Sequence, residues 1–131
     1  MKPLLAAASV AAVALAAVAV ALGRATPLKL KLTANPNNKL AYDKGLLRAV
    51  LRPAGTKSGK VTIVMKNRSS LPHNVAIKSP KGKIIAKGKV VRKGGTSTVT
   101  AVLKKGVGFY SFVCTVPGHE AGGMRGILGV D

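Results

Sequence analysis

The chain has 131 residues, with 22 lysines and arginines against three acids and a formal net charge of +19. Its length is sufficient for one domain. Only 3% of the residues are aromatic and none is tryptophan, so surfaces on which bases could stack are scarce. The lysines are also spread along the chain, which disfavours a nucleic-acid-binding protein. They indicate either an ordinary solvated strand surface or a domain that attracts anionic partners.

An apolar stretch lies close to the N-terminus. Residues 4–22 are apolar apart from Ser9 and follow Lys2, and two small-x-small cleavage sites end at Ala21 and Ala25. This pattern predicts export across a membrane. The apolar run is long for a cleaved signal and barely long enough to span a bilayer. We therefore expect residues 1–25 to be a signal peptide or an N-terminal membrane anchor, and residues 26–131 to form the exported domain.

The exported domain has the pattern of short β-strands separated by turns. Residues 28–33 alternate leucine with lysine before a final threonine, which is typical of a strand with one buried face. Residues 45–51 are compatible with a helical turn or a strand, and no segment indicates a helix of a dozen residues. Further strands are predicted at 39–42, 61–66, 73–78, 83–86, 96–103, 107–114 and 124–130. This spacing predicts an all-β fold, a Greek-key β-sandwich or barrel, and we favour a sandwich of seven or eight strands.

Metal-binding residue types collect around Cys114, the single cysteine. Alone, Cys114 indicates either a small buried apolar residue or a reactive or ligating thiol. His119 and Met124 follow at intervals of five residues, and His73 begins an earlier predicted strand. Since strand ends gather at the poles of a sandwich, these four side chains can meet at one pole. Two imidazoles, a thiolate and a long axial thioether form a blue-copper electron-transfer site.

Each of these residues has an ordinary structural interpretation when it is taken alone. A lone histidine such as His73 is more often a surface or core residue than a ligand, and Met124 alone would be a core filler. Met65, in the middle of an apolar strand, is interpreted as a core filler and is given no role at the site. The conjunction favours a metal site, because both histidines, the only cysteine and one of the two methionines beyond Met1 fall into one ligand pattern.

Two stretches resemble the plastocyanin/azurin family of cupredoxins: residues 71–77 (LPHNVAI) and residues 109–119 (FYSFVCTVPGH), together with Met124. The resemblance covers roughly residues 61–130. It implies that His73, Cys114, His119 and Met124 bind one copper ion, and that Asn74 ties the two ligand loops together through Thr115. Four residues separate the cysteine from the second histidine, and four more precede the methionine. This spacing is more similar to auracyanin and rusticyanin than to plastocyanin, which has two residues between cysteine and histidine.

The function we expect is one-electron transfer between redox partners outside the cytoplasm, in the periplasm or on the outer face of the cytoplasmic membrane. Copper delivery is the alternative, although delivery proteins usually keep open, exchangeable sites. A copper enzyme would need a second copper site with further histidines, and a dinuclear centre would need a second cysteine. A purely structural β-domain is the remaining reading.

We further expect an apolar docking patch around His119, ringed by lysines that steer a transient acidic redox partner. No nucleic-acid partner is expected. Contact with a membrane is expected through the N-terminal segment or through attraction to an anionic surface. The residues predicted to form the docking patch are Leu71, Pro72, Pro117, Gly118, Ala121, Gly122 and Gly123.

Overall fold

The computed structural model describes residues 28–35, 37 and 39–131, so the expected signal or anchor at 1–25 lies outside the described residues. The described residues contain eight strands and no helix, and hence no helix suited to crossing a membrane. The strands are β1 (Leu28–Ala34), β2 (Leu46–Ala49), β3 (Ser58–Asn67), β4 (Ala76–Lys78), β5 (Ile84–Lys87), β6 (Thr96–Lys104), β7 (Tyr110–Val113) and β8 (Arg125–Val130).

The strands form two sheets. The smaller sheet has the order β1-β3-β6, and the larger has the order β2-β8-β7-β4-β5. β1 pairs with β3 in parallel and β2 pairs with β8 in parallel, whereas the other pairs are antiparallel. The predicted all-β sandwich of seven or eight strands is therefore confirmed.

Side-chain alternation explains the core between the two sheets. In β3, Val61, Ile63 and Met65 are fully buried, while the residues between them are more exposed. Phe112 of β7 is fully buried and lies against Gly126 of β8, where a Cβ would overlap its ring. Burial of these apolar faces is the main force that holds the sheets together.

The segment at 45–51, for which a helical turn and a strand were both compatible, contains a strand, β2. Two predicted strands differ from the structure. The strand predicted at 39–42 is wrong: Tyr42 forms only an isolated β-bridge with Ala34, because the N–H of Ala41 donates to the carbonyl oxygen of Lys39 within the same segment. The strand predicted at 107–114 begins only at Tyr110, because Gly108 has a φ of 106°, which a regular strand does not allow.

The segment that carries His73 also differs from the prediction. His73 forms an isolated antiparallel β-bridge with Val91 and is not part of a strand. β4 begins only at Ala76. The backbone N–H of Val75 donates to the hydroxyl of Ser97 instead of to a strand neighbour. A side-chain hydrogen bond at Val75 therefore interrupts the backbone pairing just before β4.

One end of the sandwich collects the predicted ligand residues. Cys114 follows the last residue of β7 and Met124 precedes the first residue of β8, and these strands are antiparallel neighbours. The backbone N–H of Cys114 donates to the carbonyl oxygen of Met124 at 3.1 Å. His73 lies just before β4, which pairs with β7 on its other side. The sheet topology thus brings the segments that carry these residues to one pole.

Candidate metal centre

Three of the predicted ligands converge through their donor atoms. The Nδ1 atoms of His73 and His119 lie 3.1 Å apart. The Sγ atom of Cys114 lies 3.6 Å from Nδ1 of His119 and 3.9 Å from Nδ1 of His73. His73 and Cys114 are buried, whereas His119 is partly exposed. The cluster therefore has two enclosed donors and one donor that reaches the surface.

The backbone fixes His73 before any metal binds. Its N–H donates to the carbonyl oxygen of Val91 at 3.1 Å, and the N–H of Val91 donates back at 2.8 Å. The buried amide of Asn67 donates to the carbonyl oxygens of Leu71 and Val91, which holds the loop leading into His73. The Nε2 atom of His73 is buried and has no hydrogen-bond partner among the described residues. The ring is thus positioned by its own backbone and by packing.

The loop from Cys114 to Met124 is closed on itself by backbone hydrogen bonds. The N–H of Met124 donates to the carbonyl oxygen of His119 at 3.0 Å, and the N–H of His119 donates to the carbonyl oxygen of Val116 at 3.0 Å. Gly123, with a φ of 118°, provides the left-handed turn before Met124. Met124 is fully buried. Its backbone is therefore fixed to the other two ligands of the loop, and axial ligation by its sulfur stays a prediction.

Asn74 and Thr115 lie in direct contact across the two ligand segments. The side-chain oxygen of Asn74 accepts from the backbone N–H of Thr115 at 2.7 Å, and its amide donates to the Thr115 hydroxyl at 2.8 Å. The same amide also donates to the carbonyl oxygen of Gly88 at 3.0 Å. Asn74 is completely buried, so these hydrogen bonds are costly to break. They join the residue after His73 to the residue after Cys114.

Two contacts near the site carried no signal in the sequence. Tyr42 donates from its hydroxyl to the carbonyl oxygen of Asn74 at 2.6 Å. Burial, and secondarily the neighbouring Cys114, raises the pKa of Tyr42 far above its usual value, so Tyr42 remains a hydrogen-bond donor. Lys78 of β4 forms an ion pair with Glu120, the residue after His119. Both contacts join residues remote in sequence, which local patterns do not reveal.

Electrostatics favour neutral His73. Burial lowers its pKa, and the nearby imidazole of His119 lowers it further. A neutral imidazole keeps a lone pair available for a metal ion. Burial of His73 therefore favours the protonation state in which its imidazole can bind a metal ion.

The donor set fits a metal ion. First-row ions bind histidine nitrogen at about 2.0 Å and thiolate sulfur at about 2.3 Å, which places the donors of one ion roughly 3–4 Å apart. The three separations measured between His73, Cys114 and His119 lie in that range. Two imidazoles with one thiolate in a trigonal arrangement are typical of copper rather than of hard cations.

Comparison with known proteins agrees with this chemistry. Residues 30–131 match the model of the copper-binding proteins of the plastocyanin/azurin family. The chain belongs to this family. Its cofactor is one copper ion, and the resemblance found in the sequence is confirmed. No curated protein sequence matches the chain significantly.

Solved auracyanin structures are similar to this member of the plastocyanin/azurin family. The dithionite-reduced auracyanin of the photosynthetic bacterium Roseiflexus castenholzii is 28% identical; the match covers 79% of this chain and 96% of that one, with a TM-score of 0.62. Auracyanin A, a "blue" copper protein of Chloroflexus aurantiacus, is 27% identical; the match covers 81% of this chain and 100% of that one, with a TM-score of 0.64. Auracyanin B, at 21% identity and a TM-score of 0.63, supports the fold alone. The ligand spacing around His119 had indicated this similarity to auracyanin.

The residues predicted to form a docking patch are all exposed, and a partner-docking role for them stays a prediction. Leu71 and Pro72 precede His73, while the others belong to the loop that carries His119. The side chain of Leu40 backs this loop, since a Cβ on Gly122 would overlap it. The docking-patch residues are Leu71, Pro72, Pro117, Gly118, Ala121, Gly122 and Gly123.

Proposed function

We propose that the protein is a blue-copper one-electron carrier that works outside the cytoplasm. The observation that carries the proposal is the convergence of two imidazole nitrogens and the Cys114 sulfur, which all lie within 4.8 Å of one another, with His73 and Cys114 buried. Copper supplies the redox chemistry, because it exchanges one electron between its two oxidation states. The similarity to auracyanin A, a "blue" copper protein, supports the same conclusion.

The protein's contribution is to keep the donors in place. The Asn74–Thr115 hydrogen bonds and the backbone hydrogen bonds of Met124 fix both ligand segments. Fixed donors change little between oxidation states, so little reorganisation opposes electron transfer. Burial of His73 and Cys114 keeps water away from the inner side of the centre. The chain thereby meets the main requirement for a fast carrier.

His119 is the proposed exit for the electron, since it is the partly exposed member of the cluster. Exposed uncharged residues, among them Pro117 and Ala121, lie close to it in sequence. A surface depression beside this loop is lined by Pro117, Ala121 and Ile84 and reaches Cys114. A partner seated there would approach Cys114, beside the loop that carries His119.

An enzymatic role is less well supported than a carrier role. Both histidines of the chain and its single cysteine belong to one cluster. A copper oxidase or nitrite reductase needs a second copper site with its own histidines, and this chain has none to spare. Transfer of electrons, without turnover of a small substrate, is the function proposed here.

A redox titration of the copper-loaded protein tests the proposal. The purified chain is loaded with one equivalent of Cu(II), reduced with dithionite and reoxidised while its visible spectrum is recorded. We expect a reversible exchange of one electron per chain, with loss and return of the colour. Irreversible loss of copper on reduction would contradict a carrier. Rapid transfer of the copper to a chelator would favour the delivery function instead, whereas slow release supports the carrier.

A further inference from the structure

The outward face of the three-stranded sheet is strongly positive. In β1, β3 and β6 the side chains alternate between the core and the solvent, and every lysine of these strands is exposed. None of the three strands contains an aspartate or a glutamate. The exposed lysines are Lys29, Lys31, Lys60, Lys66 and Lys104. This set is called the lysine face below.

Strand pairing makes the lysine face continuous. Lys66 of β3 pairs with Thr33 of β1 and with Thr96 of β6, so the three form one row across the sheet. Thr62 of β3 and Thr100 of β6 also form a hydrogen bond of 2.8 Å between their hydroxyls. A shallow groove runs between Lys29, Lys31 and Lys66. The face thus offers ammonium and hydroxyl donors over a broad surface.

No acid of the described residues is free to neutralise the lysine face. Asp43, at the edge beside β1, forms an ion pair with Lys44 at 3.1 Å. Glu120 is paired with Lys78, and Asp131 with Arg48. These are the three acids of the chain. The described residues therefore provide no ion-pair partner for any of these five lysines.

The position of β1 indicates a source of counter-charge for the lysine face. β1 begins at Leu28, and only residues 23–27 separate it from the apolar run at 4–22. Five residues span at most about 18 Å. An apolar run inserted into a bilayer would therefore hold β1 and its lysines within reach of the lipid headgroups.

We propose that the lysine face binds the anionic headgroups of a phospholipid bilayer. Each lysine close to an anionic membrane strengthens binding about fivefold. Leu28 pairs with Val61, while Ala34 pairs with Asn67, whose amide holds the loop before His73. The chain thus enters the domain at the end away from the metal centre. Binding on this face leaves His119 accessible to a redox partner.

Vesicle binding of the full chain tests the proposal without depending on copper. The probes are vesicles of phosphatidylcholine alone and of phosphatidylcholine mixed with phosphatidylglycerol. The quantity measured is the ratio of the two affinities, which removes any contribution of the apolar run. The test variant combines Lys29→Gln, Lys31→Gln and Lys66→Gln. The control combines Lys81→Gln, Lys83→Gln and Lys87→Gln, which remove the same charge around the turn between β4 and β5.

We expect the test variant to lose roughly 100-fold of the preference for anionic vesicles, and the control variant to keep most of it. In the wild-type chain bound to anionic vesicles, mass spectrometry after amine acylation should show protection of Lys29, Lys31 and Lys66. Lys81, Lys83 and Lys87 should stay reactive.

Three outcomes would overturn the proposal. An equal loss in both variants would show that total charge, rather than the lysine face, determines binding. Protection of the control lysines alone would place the bilayer on the other side of the domain. Absence of any preference of the wild-type chain for anionic vesicles would exclude a bilayer as the partner of the lysine face. Tight binding of an acidic protein or a nucleic acid by the same lysines would then assign the face to that partner.

Discussion

Burial of His73 is expected to make the metal-free protein sensitive to acid. The pKa of His73 is lowered below the ordinary value of 6.5 by burial and then by the nearby His119. The unfolded chain therefore binds more protons than the folded chain as the pH falls below 6.5. This contribution to stability is complete above pH 6.5 and is lost as the pH falls towards the lowered pKa. Urea denaturation of the metal-free protein at several pH values should show the decrease in the free energy of unfolding.

The matched control for the acid effect is His73→Gln, which keeps a polar side chain but cannot titrate in this range. Its stability should change less with pH below 6.5 than that of the wild-type protein. An identical pH profile for both proteins would show that His73 is not responsible.

Met124 is predicted to set the reduction potential. Replacing it with leucine removes the thioether sulfur but keeps an apolar side chain of similar volume. Loss of this weak axial donor should destabilise Cu(II) more than Cu(I), so Met124→Leu should keep the blue colour and raise the potential. Voltammetry measures the change. The control is Met65→Leu, in the middle of β3, which should leave the potential unaltered; equal potentials in all three proteins would refute axial ligation.

The donor residues could be predicted from the sequence because they are rare in this chain and chemically distinctive. The chain has one cysteine and two histidines, so few sets of metal ligands with sulfur and imidazole donors were possible. Tyr42, Asn67 and the partnership of Lys78 with Glu120 could not be found in the same way. Their contributions depend on hydrogen bonds and an ion pair between segments that only the folded chain brings together.

Strands with one buried face could be predicted well from alternation alone. β1, β3 and β6 follow the expected alternation of inward and outward side chains, with buried Ser97 and exposed Val102 of β6 as exceptions to apolar-in and polar-out. The segments around β4 and β7 were less predictable. There, a side-chain hydrogen bond at Val75 and the positive φ of Gly108 interrupt pairing, although the apolar pattern continues through both.

The contact between Gly126 and Phe112 is expected to be essential for the packing of β7 on β8. A Cβ at position 126 would overlap the Phe112 ring, which is fully buried and cannot easily move. Gly126→Ala should therefore lower the free energy of unfolding by about 1–3 kcal/mol. Chemical denaturation of the metal-free protein provides the measurement.

Gly45→Ala is the control for this packing prediction. Gly45 lies just before β2, and a Cβ there would meet nothing within 4 Å. Its effect should stay within about 0.5 kcal/mol. If Gly126→Ala proved as mild as Gly45→Ala, the packing of β7 on β8 would be looser than the structure indicates.

The charge of the whole molecule should control its encounters with partners. A net charge of +19 attracts acidic proteins, and dissolved salt screens that attraction. The bimolecular rate of electron transfer with an acidic redox protein should fall about tenfold or more from low to physiological ionic strength. Stopped-flow measurements with a cationic redox partner should show the opposite trend. Rates independent of salt would contradict electrostatic steering.

The most direct test of the copper assignment is the spectrum of the purified protein after addition of one equivalent of Cu(II). An intense blue band from thiolate-to-copper charge transfer is expected, together with narrow copper hyperfine splitting in the EPR spectrum. Cys114→Ser should lose the blue band, because its sulfur donor is gone. A colourless wild-type protein with the wide splitting of ordinary type 2 copper would contradict a blue-copper centre at His73, Cys114 and His119.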